Sequence, residues 1–172
     1  MFSGPDTLTP YIDGGEGSWL DLRLFQGSKT LHAESIQRII VSSRFDPPSG
    51  LQERSYTLAR SVARPWILEG NEGLVLDSRK VETYAKAIAE AESDDFAFEK
   101  DFEVQASIRL ETGNAQSYQI ILGPPFQERF RLARLASSER VFLLSHWTVE
   151  SLFPSLESLS TSNNAVSYEK SP

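Results

Sequence analysis

Short apolar segments separated by turn residues occur in the same order in both halves of this chain, and that order restricts the possible folds. In the first half, strand-like segments precede a segment with helical spacing, at 35–41, 55–60, 65–69, 74–76 and then 78–92. The second half has the same succession, at 106–111, 117–122, 130–135, 140–144 and then a helical pattern from Ser145. Short strands punctuated by single helices are typical of antiparallel sheets with helices on one face.

We predict an α+β fold with a duplicated module, in which antiparallel β-sheet and helix follow the order β-β-β-β-α twice. Matching positions in the two halves, such as Trp66 and Phe130, lie about 65 residues apart. The alternative is a single α+β domain with one antiparallel sheet whose two halves only look alike. In either case Pro154 is expected to break or kink the second helix.

The predicted organisation has four parts. They are an N-terminal arm with an edge strand at 1–34, a first sheet and helix module at 35–94, a second module at 95–160 and a flexible tail at 161–172. The tail is polar and lacks apolar periodicity, which is typical of a frayed end. Between the modules, segment 91–102 is rich in acidic residues and phenylalanine, which predicts a charged loop.

Composition excludes several classes of function. The 172 residues include no cysteine, which excludes thiolate metal sites and cysteine nucleophiles, and neither His32 nor His146 has a second histidine three or four positions away. The 17 basic and 24 acidic residues give a net charge of -7, which disfavours nucleic-acid binding. No catalytic motif is present, so we predict no enzyme, no catalytic residue, no metal and no cofactor.

Membrane and export signals are also missing from the sequence given. Residues 1–20 lack the basic start and apolar run of a secretory signal. No apolar stretch reaches the ~20 residues of a membrane-spanning helix. The chain as written is therefore expected to be soluble.

Four arginines of the second half form the first candidate site, at Arg129, Arg131, Arg134 and Arg140. They alternate with apolar residues such as Phe130 and Leu132, which places guanidinium groups on the face opposite the apolar one. One interpretation is a solvated strand face. The other is a partner-binding stripe, because arginine is enriched at interface hot spots.

Two tryptophans form the second candidate site. Trp19 and Trp147 are candidates for stacking against a ligand, since aromatic faces bind apolar ring faces. Trp66 alternates with Leu68 in a strand pattern, which favours a core position. The Ser145-His146 pair invites a hydrolase interpretation, but no nucleophile elbow surrounds it, and polar residues at a helix start explain it better.

The strand segments resemble a bacterial family that is itself a domain of unknown function. The resemblance rests on IQRIIV (36–41), YTL (56–58), PWIL (65–68), YQIILG (118–123) and RVFLLS (140–145). It implies an extracytoplasmic protein held by one N-terminal membrane helix and often encoded beside ABC transporters of the gliding-motility auxiliary type. The sequence given lacks that anchor, and the family brings no catalytic residues.

Two functional hypotheses follow from different classes. The first is a non-catalytic extracytoplasmic interaction module of a membrane-anchored protein, auxiliary to an ABC-type transporter or envelope assembly, with a protein partner such as transporter subunits. The second is a ligand-capture domain that binds a glycan, peptide or lipid fragment in a cleft between the modules.

Overall fold

A computed structural model describes residues 22–25, 30–44, 53–62, 65–71, 73–99 and 101–161 of this chain. These residues contain the strands β1 Ile36–Ser43, β2 Arg54–Ala59, β3 Ile67–Leu68, β4 Asp95–Ala97, β5 Ala106–Thr112, β6 Ser117–Phe126, β7 Phe130–Leu135 and β8 Val141–Ser145. The strands form a single sheet in the order β3-β2-β1-β5-β6-β7-β8-β4, in which all neighbours are antiparallel. Strands from both predicted modules therefore share one sheet.

The junction between the two halves of the sheet is the pairing of β1 with β5. Ile39 lies opposite Leu110, and Val41 lies opposite Ile108. All four side chains are buried, because alternate residues of a strand point to one face and these are the apolar ones. The hydrophobic core is thus continuous across the middle of the sheet.

Helix α1, Ser78–Ala89, packs on this face of the sheet. The Asp77 side chain accepts hydrogen bonds from the backbone N–H groups of Arg79 and Lys80, which caps the free amides of the first turn. The buried side chains follow helical spacing, at Val81, Tyr84, Ala85 and Ile88. The predicted helix is confirmed, and it ends before residue 92.

The second helical region is broken into α2, His146–Leu152, and α3, Leu156–Leu159. The break lies at Pro154, as predicted, because proline lacks an N–H donor and its ring clashes with the preceding turn. Two phenols bond the carbonyls freed there. Tyr84 donates to the Leu152 carbonyl at 2.8 Å, and Tyr56 donates to the Pro154 carbonyl at 2.8 Å.

Two local predictions differ from the structure. Segment 74–76 is not a strand of the sheet, since Leu76 forms only an isolated bridge to Ser160 and the Val75 carbonyl accepts from the Thr161 N–H. The expected charged loop at 91–102 contains β4, which pairs with β8. The α+β class is confirmed, whereas the two halves differ in their strands and the duplication stays a prediction.

The face of the sheet opposite α1 has its own small apolar cluster, in the half formed by β6, β7 and β8. Leu132, Val141 and Leu143 are buried there, and Phe102 packs against them. A Cβ atom at Gly123 would overlap the Phe102 ring, so this glycine allows the ring to approach the backbone. Segment 101–105 therefore covers part of this face.

The predicted N-terminal arm contributes three core residues among those described, Leu24, Phe25 and Leu31. Leu24 and Phe25 are each 3% exposed, and Arg23 forms an isolated bridge to Glu92. The rest of the predicted arm up to residue 21, and the predicted tail from residue 162, lie outside the described residues. None of the described helices is both long and apolar enough to cross a membrane.

Candidate functional site

The start of helix α2 carries the most exposed tryptophan of the described chain. Trp147 is 80% exposed, whereas Trp66 is 2% exposed and donates its indole N–H to Glu82 at 2.9 Å. The core position predicted for Trp66 is confirmed. The Trp147 indole is therefore accessible to a partner or a ligand, which the predicted stacking role requires.

Hydrogen bonds fix the backbone that presents this indole. The Ser145 N–H donates to Asp94 Oδ2 at 2.6 Å, and the Thr148 N–H donates to Ser145 Oγ at 3.4 Å. Ser145 is thus the helix cap, and the prediction of polar helix-start residues is confirmed. The position of Trp147 is therefore defined by the sheet.

His146 and Ser145 do not form a nucleophile and base pair. His146 Nε2 lies 3.1 Å from Glu150 Oε1, one turn along the helix, and both side chains are exposed. Ser145 Oγ lies 3.0 Å from Thr148 Oγ1 instead. This geometry stabilises the first turn of α2, and among the described residues the Ser145 hydroxyl contacts Thr148 and not the His146 imidazole.

The four candidate arginines do not form one stripe. Arg131 is only 5% exposed, and its guanidinium donates to the Gly123 carbonyl at 2.8 Å and to Gln105 Oε1 at 2.7 Å. A register shift between Leu122 and Pro125 lies at that carbonyl. The expectation that Arg131 lies on an exposed face is wrong, because this irregular stretch of β6 gives its guanidinium buried acceptors.

The other three arginines lie at two ends of the sheet. Arg134 lies over the Phe102 ring at 5.4 Å and Arg140 over the Phe96 ring at 5.2 Å. Among the described residues, Nε of Arg134 is buried without a hydrogen-bond partner. Arg129 is exposed and precedes Phe130, which pairs with Ser145, so it lies at the same end as the start of α2.

We call the exposed group of Asp94, Arg129, His146, Trp147 and Glu150 the Trp147 surface. It brings together one arginine and one tryptophan that the sequence singled out. It excludes Arg131, Arg134 and Arg140, which lie elsewhere along β7 and β8. Trp19 lies outside the described residues.

A groove next to this surface was not predicted from the sequence. It has a volume of about 400 Å³ and lies between α1 and the α2–α3 region. Helix α1 contributes one wall, with Arg79, Lys80, Thr83, Tyr84 and Ala87. The other wall contains Ser151, Pro154, Ser158 and Leu159. We call it the helical groove. Its residues come from segments more than sixty positions apart, so no local pattern indicates it.

Three groups that form structural hydrogen bonds have shifted pKa values, namely Tyr56, Tyr84 and Glu82. Burial raises the pKa of Tyr56 to about 12 and raises the pKa of Tyr84 well above its usual value. Burial disfavours the charged form of Glu82, but hydrogen bonds from Arg60 and Trp66 outweigh this and lower its pKa. Burial thus accounts for the two tyrosine shifts and hydrogen bonding for the Glu82 shift, and both are ordinary causes of perturbed pKa values in a folded chain.

A second pocket lies near the edge strand β3, with a volume of about 450 Å³. Trp66, Leu68 and Leu76 form part of its lining. Within the described ranges, no three or more His, Asp or Glu side chains are grouped to hold a metal ion.

Comparisons with protein-family models, curated proteins and solved structures find no match to this chain.

Proposed function

We propose that this chain is a non-catalytic interaction module that binds a protein partner through the Trp147 surface. The observation that carries the proposal is the 80% exposed indole of Trp147 on a helix start held by the sheet. Tryptophan is enriched among interface hot spots, and a preorganised backbone reduces the entropy lost on binding.

Charges around the indole support a protein partner. Arg129, Asp94 and Glu150 are exposed and carry charges of both signs, and the polar side chain of His146 is exposed beside them. A central aromatic residue with a polar rim is the usual arrangement of protein interfaces. Arg129 is the member of the predicted arginine stripe that retains a role in this proposal.

The proposed setting follows the resemblance noted in the sequence. It is a membrane-anchored extracytoplasmic protein that assists an ABC-type transporter or envelope assembly, with transporter subunits as partners. Strand segments that resemble the family support this setting.

The test is crosslinked co-purification of the full-length protein from its own cells, with recovered proteins quantified by mass spectrometry. Trp147→Ala is compared with Phe98→Ala, a matched control because Phe98 is 75% exposed. We expect Trp147→Ala to reduce recovery of a specific partner about tenfold or more, the loss typical of a hot spot. Recovery in Phe98→Ala should match the wild type, and both melting temperatures should stay close to it.

Unchanged recovery with Trp147→Ala would exclude this surface. Arg129→Glu is a second variant, expected to weaken recovery by a smaller factor because its side chain is at the rim. Charge reversal at Arg131 is unsuitable, since a carboxylate there would be buried beside the Gly123 carbonyl.

Ligand capture is the second proposal, favoured by the same exposed indole. A glycan, peptide or lipid fragment that stacks on Trp147 would change the tryptophan fluorescence of the wild type and not of Trp147→Phe. If an envelope-derived ligand library gives no such difference, ligand capture at this residue is excluded. The two proposals differ in what stops binding when the Trp147 indole is removed. In the first it is a protein partner, and in the second it is a small ligand.

A further inference from the structure

The helical groove continues the Trp147 surface along one face of α2. Trp147 and Ser151 are four residues apart on this helix, so their side chains lie on the same face, about 6 Å apart along the axis. Ser151 lines the helical groove. A chain bound at Trp147 can therefore extend into the groove without a turn.

The groove has an apolar floor and a basic rim. Ala87, Pro154 and Leu159 supply apolar surface, and Arg79 and Lys80 are exposed at one side. Neither cation forms an ion pair with a described residue, and the Lys80 ammonium donates to the Ser160 carbonyl at 3.0 Å. An ammonium group has three donors, so this contact leaves capacity for a ligand.

The chain has a net charge of -7, whereas this rim presents the two cations Arg79 and Lys80. An acidic chain repels other acidic molecules in general, so local cations beside an apolar floor favour an occupant with complementary charge. The groove is open along its length, which suits side chains of a polypeptide better than an acyl chain that needs enclosure.

We infer that the helical groove binds an acidic amphipathic segment of the protein partner, with apolar side chains on the floor and carboxylates at Arg79 and Lys80. This inference rests on the proposed function and adds the chemistry of the partner segment. The amphipathic pattern allows one side of the segment to face the groove and the other to face solvent.

The first test uses two synthetic helical peptides with the same leucine positions, one with glutamate and one with lysine at the remaining positions. Binding to the isotope-labelled full chain is followed by NMR. We expect the glutamate peptide to shift the amide signals of Thr83, Ala87 and Ser151, and to bind less tightly as salt increases. If the lysine peptide binds equally well, or the shifts lie elsewhere, or neither peptide binds, the inference is overturned.

Charge reversal supplies the matched comparison. Arg79→Glu and Lys80→Glu should each weaken the glutamate peptide roughly three- to tenfold. Lys86→Glu changes the net charge equally on the same helix but outside the groove, so it should have little effect. Acidic residues in the first turn favour a helix, so the groove variants should remain folded, as circular dichroism will check.

The second test places a photo-crosslinking residue at Thr83 or at Glu150, an exposed position of the Trp147 surface that leaves the indole in place, in the full-length protein in its own cells. The crosslinked partner peptide is then sequenced by mass spectrometry. We expect both positions to capture one partner and the Thr83 peptide to be acidic and apolar. Capture at position 150 alone, or a basic peptide at Thr83, overturns the groove inference and leaves the proposed function intact. A crosslink from Thr83 to a second copy of this chain also overturns it.

Discussion

At the scale of single residues, the positions that tolerate no change are those where a side chain packs closely against the backbone. Gly123 is the clearest case, because its backbone lies under the Phe102 ring. Phe102 in turn contacts the Arg134 guanidinium, which lies 5.4 Å from its ring centre. One missing Cβ atom thus allows segment 101–105 to cover the sheet.

We predict that Gly123→Ala destabilises the protein by about 1–3 kcal/mol, because the added methyl overlaps an aromatic ring. Urea unfolding measures the change. Gly113→Ala is the control, since its Cβ would lie 3.7 Å from the Gln37 side chain in an ordinary contact. Phe102→Leu combined with Gly123→Ala should recover part of the loss, and a double variant that shows no coupling would contradict this explanation.

Glu82 gives a prediction about acid stability. Its carboxylate accepts from Arg60 at 2.6 Å and from Trp66 at 2.9 Å, which lowers its pKa in the folded state. A carboxyl group whose pKa is lower in the folded state stabilises the protein at pH values above its ordinary pKa. That stabilisation is lost as the pH falls through the pKa of the folded state. Glu82→Gln should therefore lower the free energy of unfolding by about 1 kcal/mol at neutral pH, a value reduced for partial solvent exposure.

The same variant should show a shallower loss of stability below about pH 4.5, where the wild type loses the Glu82 contribution. Urea unfolding at a series of pH values measures both effects. Glu139→Gln is the control, because Glu139 is exposed and forms no ion pair with a described residue. Parallel pH curves for the wild type and Glu82→Gln would contradict the assignment.

At the scale of elements, the break between α2 and α3 depends on two buried phenols. Pro154 interrupts the helix, and the Leu152 and Pro154 carbonyls there accept hydrogen bonds from Tyr84 and Tyr56. Buried carbonyls without donors are costly, so the tyrosines stabilise a bend that proline creates. They also hold the wall of the helical groove in place.

We predict that Tyr84→Phe destabilises the protein by about 1–3 kcal/mol, because the buried Leu152 carbonyl loses its donor while the packing changes little. Chemical denaturation measures the loss. Hydrogen exchange should also become faster in α3. Tyr118→Phe is the control, since the Tyr118 hydroxyl donates to Gln116 at an exposed position. Equal effects of the two substitutions would show that burial of the hydrogen bond is not the cause.

Most elements could be predicted from the sequence, because their signals are local. Asp77 before α1, Ser145 before α2 and Pro154 after it act within one helical turn. Strand β4 has only three residues and includes Asp95, so its local composition indicated a loop. It forms a strand because it pairs with β8, which is distant in the sequence. Tertiary pairing overrode a weak local preference there.

The candidate site was predicted only in part, for the same reason. Arg131 has the alternation of an exposed strand residue, but buried acceptors at Gly123 and Gln105 come from other segments. The sequence pattern places Trp147 at a helix start, but the exposure of its side chain depends on how α2 packs against the rest of the fold. The helical groove depends on packing between distant helices, which periodicity does not describe.

At the scale of the whole molecule, the sheet is continuous through β1 and β5 and ends in very short strands. The edge strands β3 and β4 have two and three residues. Short edges offer little template for pairing with another chain, so we expect contacts through the helical side and not through edge pairing. The Trp147 surface and the helical groove both lie on elements that pack at that side.

A continuous core across the sheet predicts that both halves unfold together. Ile108 is fully buried at the junction, opposite Val41, and Ile108→Ala should cost about 2–5 kcal/mol. Native-state hydrogen exchange at Leu58 in the first half and Leu144 in the second should report the same loss, because one cooperative unit has one unfolding free energy. Val75→Ala, at a half-exposed side chain, is the control and should leave both amides unchanged. If protection falls at Leu58 and persists at Leu144, segments 35–94 and 95–160 unfold as separate units, and the shared sheet does not make them cooperative.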